Sequence, residues 1–297
     1  MRYRPFGNSG KAVSALSLLL RESAAIPTPA TWRSRLYTAL ESGINCFEVI
    51  DGGPVVTAGL AASLPAVERG LLFLSWRIIG DQRRPLNAQN LSAIIRNVLK
   101  TSGAGYLDLL MFDETAFATL TPDGMVMLQD IRAAGLVLQL GLVGDGSAVE
   151  LVIADPAFEV LATPFSLVSD WRTRRLVKDS ANANMTAIAY DALPADLLKP
   201  PPPAQKPSLL HRGRPEPLAG AGAYGFLHQT QGWAPDELCI AYALTEPAFA
   251  TIQLDVASGV DVERLAAVAE RDMPTGAAAQ IEMARFSVDP SAQQKRA

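Results

Sequence analysis

Short apolar segments alternate with amphipathic helical patterns eight times along this chain, at a spacing of about 25 to 35 residues. Alternation of this kind is typical of repeated β-strand–α-helix units and limits the chain to a few α/β architectures. The predicted strands are residues 15–20, 45–50, 71–78, 107–113, 137–143, 160–166, 186–191 and 250–254. The predicted helices are residues 31–42, 56–66, 87–101, 123–134, 147–154, 171–182, 235–245 and 260–271.

Eight strands with eight helices close most naturally into a (β/α)8 TIM barrel, and the 297 residues exceed the typical barrel length of about 250. Three helical patterns are followed by Gly43, Gly103 and Gly135, where we expect a left-handed residue after the last turn. Asn8-Ser9-Gly10 is a turn signal between two short alternating segments. It predicts an N-terminal β-hairpin that caps the bottom of the barrel.

The first residues also permit a second interpretation. Arg2, Arg4 and Lys11 precede the apolar residues 12–20 and a patch of small residues, an order that resembles a signal peptide. The turn signal favours the hairpin. Cys46 and Cys239 are far apart and lie in apolar segments, so no disulfide framework is predicted, and we expect a cytoplasmic protein.

We expect a single domain over residues 1–285 and a polar tail over residues 286–297. One segment, residues 199–217, interrupts the repeats and contains seven of the 21 prolines together with Lys199, Lys206, Arg212 and Arg214. We interpret this loop as a solvated linker. A lid over an anionic ligand and a polyproline II docking segment are the alternatives.

The composition excludes several classes of function. The formal net charge is −4 and no basic face is visible, which argues against nucleic-acid partners. No apolar run approaches the roughly 20 residues that span a bilayer. No metal-ligand spacing occurs, and the two histidines, His211 and His228, lie in a Gly/Pro-rich stretch, which restricts acid–base chemistry near neutral pH.

Several phrases, in order along the chain, resemble the aldo-keto reductases, a family of (β/α)8 barrels that use NADPH to reduce carbonyl groups. The resemblance covers residues 1–272 approximately. The phrases are MRYRPFGNSGKAVSALSL at the start, ALESGINCFEVIDGGP around the second barrel strand, LLFLSWRI, YLDLLMFD and GLVLQLGLVG at the next three, AIAYDAL at the seventh, and GWAPDELCIAYALTEPAFATI at the last.

The resemblance implies a catalytic Tyr, Lys, Asp and His, and the chain differs at all four positions. The Asp falls on Glu48, the proton-donating Tyr on Gly53, the Lys on Arg77 and the His on Asp113. A guanidinium does not release its proton at neutral pH, so Arg77 cannot replace the donor. We expect a Glu48–Arg77–Asp113 charge cluster at the barrel mouth, acting as a structural ion-pair cluster, a polar ligand anchor or an acid–base set.

The nicotinamide contacts that the resemblance implies are altered as well. The Ser-Asn pair that binds the nicotinamide amide falls on Val143 and Gly144, and a Gln of the sixth strand falls on Ala162. Tyr190 matches the tyrosine that stacks on the nicotinamide. The serine that should follow it is Asp191, whose carboxylate would repel a phosphate.

The residues that would bind the cofactor's 2′-phosphate and those that would leave space for a substrate also differ from the family's. Near the expected 2′-phosphate, Arg264 is the only nearby cation, while Asp255 and Asp261 are anionic. The leucines at positions 18–20 stand where the family has small residues, and we expect them to fill part of the mouth. We therefore expect no cofactor; the resemblance alone would allow NADP.

Three functions are consistent with these residues. The favoured one is a pseudoenzyme, a binding or regulatory barrel that recognises an unknown protein partner or a small polar ligand. The first alternative is an NADPH-dependent carbonyl reductase with a relocated proton donor. The second is a non-redox acid–base enzyme that acts on a small polar substrate. The sequence predicts no oligomeric state.

Overall fold

The computed structural model describes residues 1–50, 52–200 and 224–288, and these residues form a closed eight-stranded barrel preceded by a hairpin. The strands are β1 (Tyr3–Pro5), β2 (Ala12–Ser14), β3 (Leu16–Leu20), β4 (Cys46–Ile50), β5 (Phe73–Ile78), β6 (Leu107–Asp113), β7 (Val137–Val143), β8 (Val160–Pro164), β9 (Thr186–Tyr190) and β10 (Phe249–Asp255). The barrel order is β10-β3-β4-β5-β6-β7-β8-β9, with every neighbouring pair parallel.

Helices surround the barrel. They are α1 (Pro29–Glu41), α2 (Pro54–Ser63), α3 (Ala88–Ser102), α4 (Glu114–Ala118), α5 (Pro122–Ala133), α6 (Ser147–Ala154), α7 (Trp171–Asn182), α8 (Ala195–Leu198), α9 (Pro235–Leu244), α10 (Val262–Val268) and α11 (Thr275–Val288). Short 3-10 helices occupy Leu64–Ala66, Arg69–Leu71, Gly225–His228 and Val256–Ser258.

The predicted barrel and all eight of its strands are confirmed, and the prediction of a left-handed residue at Gly43, Gly103 and Gly135 is confirmed as well. Most element boundaries differ from the predicted ones by one to three residues, and two of these differences have a clear local cause. Strand β5 begins at Phe73 because residues 69–71 form a 3-10 turn. Helix α1 begins at Pro29 because the hydroxyl of Thr28 accepts a hydrogen bond from Thr31 N and caps the helix.

Helices α4, α8 and α11 were not predicted from the sequence. Helix α11 continues to Val288 and so passes residue 285, the predicted end of the single domain. Residues 289–297 of the predicted tail lie outside the described residues, as do residues 201–217 of the Pro-rich segment.

The hairpin packs on the amino-terminal end of the barrel. Arg4 donates hydrogen bonds to Phe249 O and Leu244 O at 2.7 and 2.6 Å. The Phe6 ring is fully buried, with its centroid 4.2 Å from that of Phe73, the first residue of β5. The segment that resembled a signal peptide thus contributes the hairpin and the strand β3.

Two apolar layers hold the barrel together. Outside it, strand residues such as Leu18 and Leu20 share a cluster with helix residues such as Trp32. Inside it, a separate cluster fills the space between the strands: Phe6, Val13, Cys46, Phe73, Leu109, Met111, Val143, Val160, Ala162, Ile188 and Ala250. The interior is therefore a packed core, and space for a ligand lies at the carboxyl ends of the strands.

Candidate functional site

A cavity of about 330 Å³ opens at the carboxyl ends of strands β3, β5, β9 and β10, where the fold places ligand sites. Its position follows from the register of the strands, since alternate residues of each strand point into the barrel. The lining residues are Leu19, Arg77, Tyr190, Asp191, Ala192, Leu193, Gln253, Leu254 and Asp255.

Glu48, Arg77 and Gln253 form a closed hydrogen-bonded network beside this cavity. Arg77 Nε donates to Glu48 Oε1, and Arg77 Nη2 donates to Gln253 Oε1 at 3.3 Å. Gln253 Nε2 donates to Glu48 Oε2 at 2.9 Å. The three residues are 2%, 8% and 5% exposed, so both charges are buried and paired. Gln253 was not anticipated, because nothing in its own segment marks it.

Asp113 does not belong to this network, and the predicted three-residue cluster is wrong in that member. Asp113 is the N-cap residue of α4, where its Oδ1 accepts from Ala116 N at 2.6 Å and from Gly80 N at 2.9 Å. The short helix that follows β6 provides backbone donors close to the carboxylate, and these satisfy it locally. The carboxylate thus orders the β5 and β6 loops.

The position expected for the proton donor is occupied from another loop. Gly53 is the N-cap residue of α2, and a Cβ atom at Gly53 would overlap the side chain of Glu22. Glu22 Oε1 accepts from Val55 N at 2.7 Å and from Val56 N at 3.2 Å. A carboxylate therefore caps the helix at the place where the family resemblance puts a tyrosine.

The leucines at the end of β3 fill the mouth less than we expected. Leu19 lines the cavity and is paired with Glu48 and Asp255 in the sheet register. Leu18 and Leu20 point the opposite way and are buried in the outer apolar cluster. The prediction holds for one leucine, because side chains alternate between the two faces of a strand.

A second carboxylate lies at the loop after β7, where the family resemblance puts the nicotinamide amide. Glu114 Oε1 accepts from Asp145 N at 3.0 Å and from Gly146 N at 2.7 Å. A Cβ atom at Gly144 would overlap the Glu114 carboxylate. Val143 and Ala162 lie beside this loop as buried apolar residues inside the barrel. The backbone donors of the loop are thus already used by the protein.

Tyr190 and Asp191 lie at the end of β9 as the sequence predicted. Tyr190 is partly buried, and burial together with the charge of Asp145 raises its pKa well above the usual range, although Arg77 opposes the shift. Asp191 is exposed and has a φ of +54°, in the left-handed region. The tyrosine is therefore a neutral phenol at the side of the cavity.

Arg264, the expected cation of the phosphate grip, is bound to carboxylates. Its Nη2 lies 2.5 Å from Asp236 Oδ2 and its Nη1 lies 3.2 Å from Glu237 Oε1, with Asp261 at 3.8 Å. The hydrogen bond to Asp236 raises the pKa of Arg264. Asp255, at the cavity rim, pairs with Arg21 at 2.7 Å.

Across the residues that the structure describes, metal-binding side chains, histidines and membrane-spanning helices contribute nothing to this network. Within residues 1–50, 52–200 and 224–288, no group of three or more His, Cys, Asp or Glu side chains could hold a metal ion. His228 Nε2 lies 3.0 Å from Leu197 O, and His211 is outside the described part of the chain. Among the described helices, none is both long and apolar enough to cross a membrane.

Comparison with known proteins agrees with the fold. A search of curated proteins found no match. Among solved structures, an aldo-keto reductase of Bacillus halodurans is similar in its holo form, with a TM-score of 0.74, and in its apo form, with a TM-score of 0.71. Each alignment has 15% identity and covers 96% of both chains, a likeness that shows the fold. The sequence profile of the Aldo/keto reductase family matches residues 29–284, and the chain belongs to this family.

Proposed function

We propose that this barrel has no reductase activity and acts as a binding or regulatory protein with a small polar ligand at its mouth. The observation that supports this most directly is the pair of residues Gly53 and Glu22. Where a carbonyl reductase of this family would need a phenolic proton donor, the chain has no side chain, and a helix-capping carboxylate fills the space.

The remaining mouth residues are poor proton donors at neutral pH. Arg77 keeps its proton and Gln253 has none to release. Tyr190 is the remaining hydroxyl on the cavity wall, and its raised pKa makes it a weaker acid than an ordinary tyrosine. A general acid works best with a pKa near the operating pH, so this shift goes in the unfavourable direction. It argues against a reductase with a relocated donor.

Membership of the family suggests NADP(H) binding, and the residues at the mouth do not fit it. Glu114 accepts from the backbone donors of Asp145 and Gly146, and Arg264 is held by Asp236 and Glu237. Asp191 adds an exposed carboxylate in the region where the pyrophosphate would lie. Like charges in this region would raise the free energy of a bound dinucleotide, which carries several phosphate charges.

The proposal includes a location and a kind of partner. Cys46 and Cys239 are both buried free thiols, as in proteins of a reducing compartment, and we place the protein in the cytoplasm. A regulatory barrel would act through a small polar ligand or a protein partner. A formal net charge of −4 makes nucleic acid an unsuitable partner.

A titration tests the proposal. NADPH is added to the purified full chain while its fluorescence and the heat of binding are recorded, and oxidation at 340 nm is then followed with 4-nitrobenzaldehyde. We expect no binding at micromolar concentration and no oxidation, whereas an active family member assayed in parallel gives both. A Tyr190→Phe variant purified in the same way identifies contamination, because it removes the remaining hydroxyl of the cavity wall while a contaminant's activity would persist in it. Micromolar binding with turnover that Y190F abolishes would overturn the proposal.

A further inference from the structure

Arg77 has donors that the protein does not use. The guanidinium carries five N–H groups. Nε donates to Glu48 and Nη2 to Gln253, while Nη1 meets no acceptor among the described residues. Arg77 lines the cavity, and its Nη1 is not among the fully buried atoms, so the unused donors are accessible to a ligand at the mouth. The Tyr190 hydroxyl also has no hydrogen-bond partner within the described part of the chain, and it keeps its proton because burial raises its pKa.

Glu48 does not compete for these donors. Its Oε1 accepts from Arg77 Nε and its Oε2 accepts from Gln253 Nε2, so both oxygens are used on the side of the network. A ligand oxygen at Nη1 would therefore meet a charged donor that is already oriented. Charge-assisted hydrogen bonds from a fixed guanidinium are a preferred way of binding a carboxylate.

The rim of the same cavity has the opposite charge. Asp191 is exposed, lines the cavity, and has no hydrogen bond or ion pair with the other described residues. The backbone of Asp191, directly after β9, has a positive φ, a conformation that Asp tolerates better than most residues. Asp255 adds a second carboxylate at the rim, and its charge is offset by Arg21. An ammonium group would be favoured here, and a second carboxylate would be repelled.

The volume restricts the size of the ligand. A cavity of about 330 Å³ is at the lower end of the range of about 300–1,000 Å³ for small-molecule sites. Leu19, Ala192 and Leu193 contribute an apolar part of the cavity wall. The arrangement suits a short molecule with one charge at each end.

We propose that the mouth binds a small zwitterion of the amino-acid class, with its carboxylate on Arg77 and Tyr190 and its ammonium group on Asp191. This inference rests on the proposed function, in which the mouth is a ligand site without redox chemistry. It adds the chemical class of the ligand and the residues that select it.

A series of ω-amino acids tests the inference, since it varies the distance between the two charges. Glycine, β-alanine, 4-aminobutyrate and 6-aminohexanoate are titrated calorimetrically into the full chain, with butyrate and butylamine as singly charged controls. We expect at least one amino acid to bind about tenfold more tightly than either control, which corresponds to about 1.4 kcal/mol. Binding of the whole series no tighter than butyrate overturns the inference.

One variant and a matched control test the role of the Asp191 charge. Asp191→Asn should weaken the best amino acid about tenfold and should not weaken butyrate, because the side chain keeps its shape and loses a charge that attracts the ammonium group and repels the carboxylate. The matched control is Asp196→Asn, which removes an exposed carboxylate in α8 that is absent from the cavity wall. Equal affinity of D191N and the unmodified chain overturns the inference.

The two proposals fail in different experiments. Binding and turnover of NADPH would overturn the proposed function, whatever the amino acids do. If the chain binds neither amino acids nor NADPH, the zwitterion site is overturned and the proposed function stands.

Discussion

Gln253 on the last strand donates a hydrogen bond to Glu48 Oε2 at 2.9 Å, although the two residues are 205 positions apart and their strands are not neighbours. Strand β3 lies between them. Its Leu19 faces the mouth and pairs with Glu48 in register. The bond therefore crosses the seam at which the barrel closes and links the chain's two ends through a buried carboxylate.

Loss of the Gln253 amide should destabilise the barrel. Gln253→Leu removes a donor from Glu48 and an acceptor from Arg77, and we expect the free energy of unfolding to fall by about 2–3 kcal/mol, since both partners are charged. Urea unfolding measures the change. Gln139→Leu is a matched control, because Gln139 is also buried inside the barrel and its Oε1 has no partner among the described residues. Equal losses in both variants would contradict the role of the network.

The ion pair of Glu48 and Arg77 should show strong coupling. Arg77→Met or Glu48→Leu leaves one buried charge without its partner, and each should lower the free energy of unfolding by about 3–5 kcal/mol. The double variant should lose much less than the sum, which a double-mutant cycle in urea would show. The exposed pair Arg175–Asp179 is the control, with an expected coupling of at most about 0.5 kcal/mol. If the losses of unfolding free energy in the Glu48 and Arg77 variants were additive, the two side chains would not stabilise each other as an ion pair.

Gly53 and Glu22 should be coupled by steric contact. The φ of Gly53 is −54°, so alanine suits the backbone there, and the obstacle to Gly53→Ala is the Glu22 side chain. We expect G53A to lower the free energy of unfolding by about 1 kcal/mol through displacement of the cap, and Glu22→Ala to have a similar effect. The double variant should resemble E22A alone.

Thermal or urea unfolding of these three variants tests that coupling. Gly225→Ala is the control, because a Cβ atom at Gly225 meets open space and needs no side chain to move. A G53A loss that persists undiminished in the E22A background would show that another contact is responsible.

Acid should weaken the contact between α9 and α10. Burial alone would raise the pKa of Asp236, but its hydrogen bond and charge attraction to Arg264 outweigh burial and hold the pKa below its usual value. The unfolded chain then binds the proton more readily, so stability from this pair is present above pH of about 4 and is lost as the pH falls through the lower folded-state pKa.

Urea unfolding between pH 7 and pH 2.5 measures this loss. Asp236→Asn removes the titrating group, and we expect its unfolding free energy to decline less steeply with acid than that of the unmodified chain. Glu282, whose pKa is also lowered by its contacts with Tyr242 and Arg285 despite burial, accounts for part of the remaining slope. Identical slopes in D236N and the unmodified chain would rule out the contribution of Asp236.

The barrel could be predicted from sequence because strands buried on both faces appear as short apolar runs, as in LDLLMFD of β6. The sequence also contains a local signal for helix α4. Asp113 stands three residues before Ala116 and accepts a hydrogen bond from its backbone N–H, and Asp is a preferred N-cap residue. This local capping role accounts for the absence of Asp113 from the charge cluster.

The rest of the site depends on contacts between distant segments. Glu22 caps a helix 33 residues later, Glu114 reaches a loop 31 residues later, and Gln253 meets Glu48 only after the barrel has closed. A glutamate in a loop has no pattern that reveals its acceptor role. Strand register, which a single sequence leaves open, decided that Leu19 faces the mouth while Leu18 and Leu20 face the helices.

The pairing of β3 with β10 also governs when the protein can finish folding. Leu16 of β3 pairs with Ile252 of β10. During synthesis on a ribosome, β3 therefore keeps one unpaired edge until β10 has been made. Packing of the hairpin is delayed as well, because Arg4 donates its hydrogen bonds to the backbone oxygens of Leu244 and Phe249. Contacts of such sequence separation form slowly and leave a nascent chain open to aggregation. Closure of this barrel therefore cannot precede the synthesis of β10, whose Ile252 lies 236 residues after its partner Leu16.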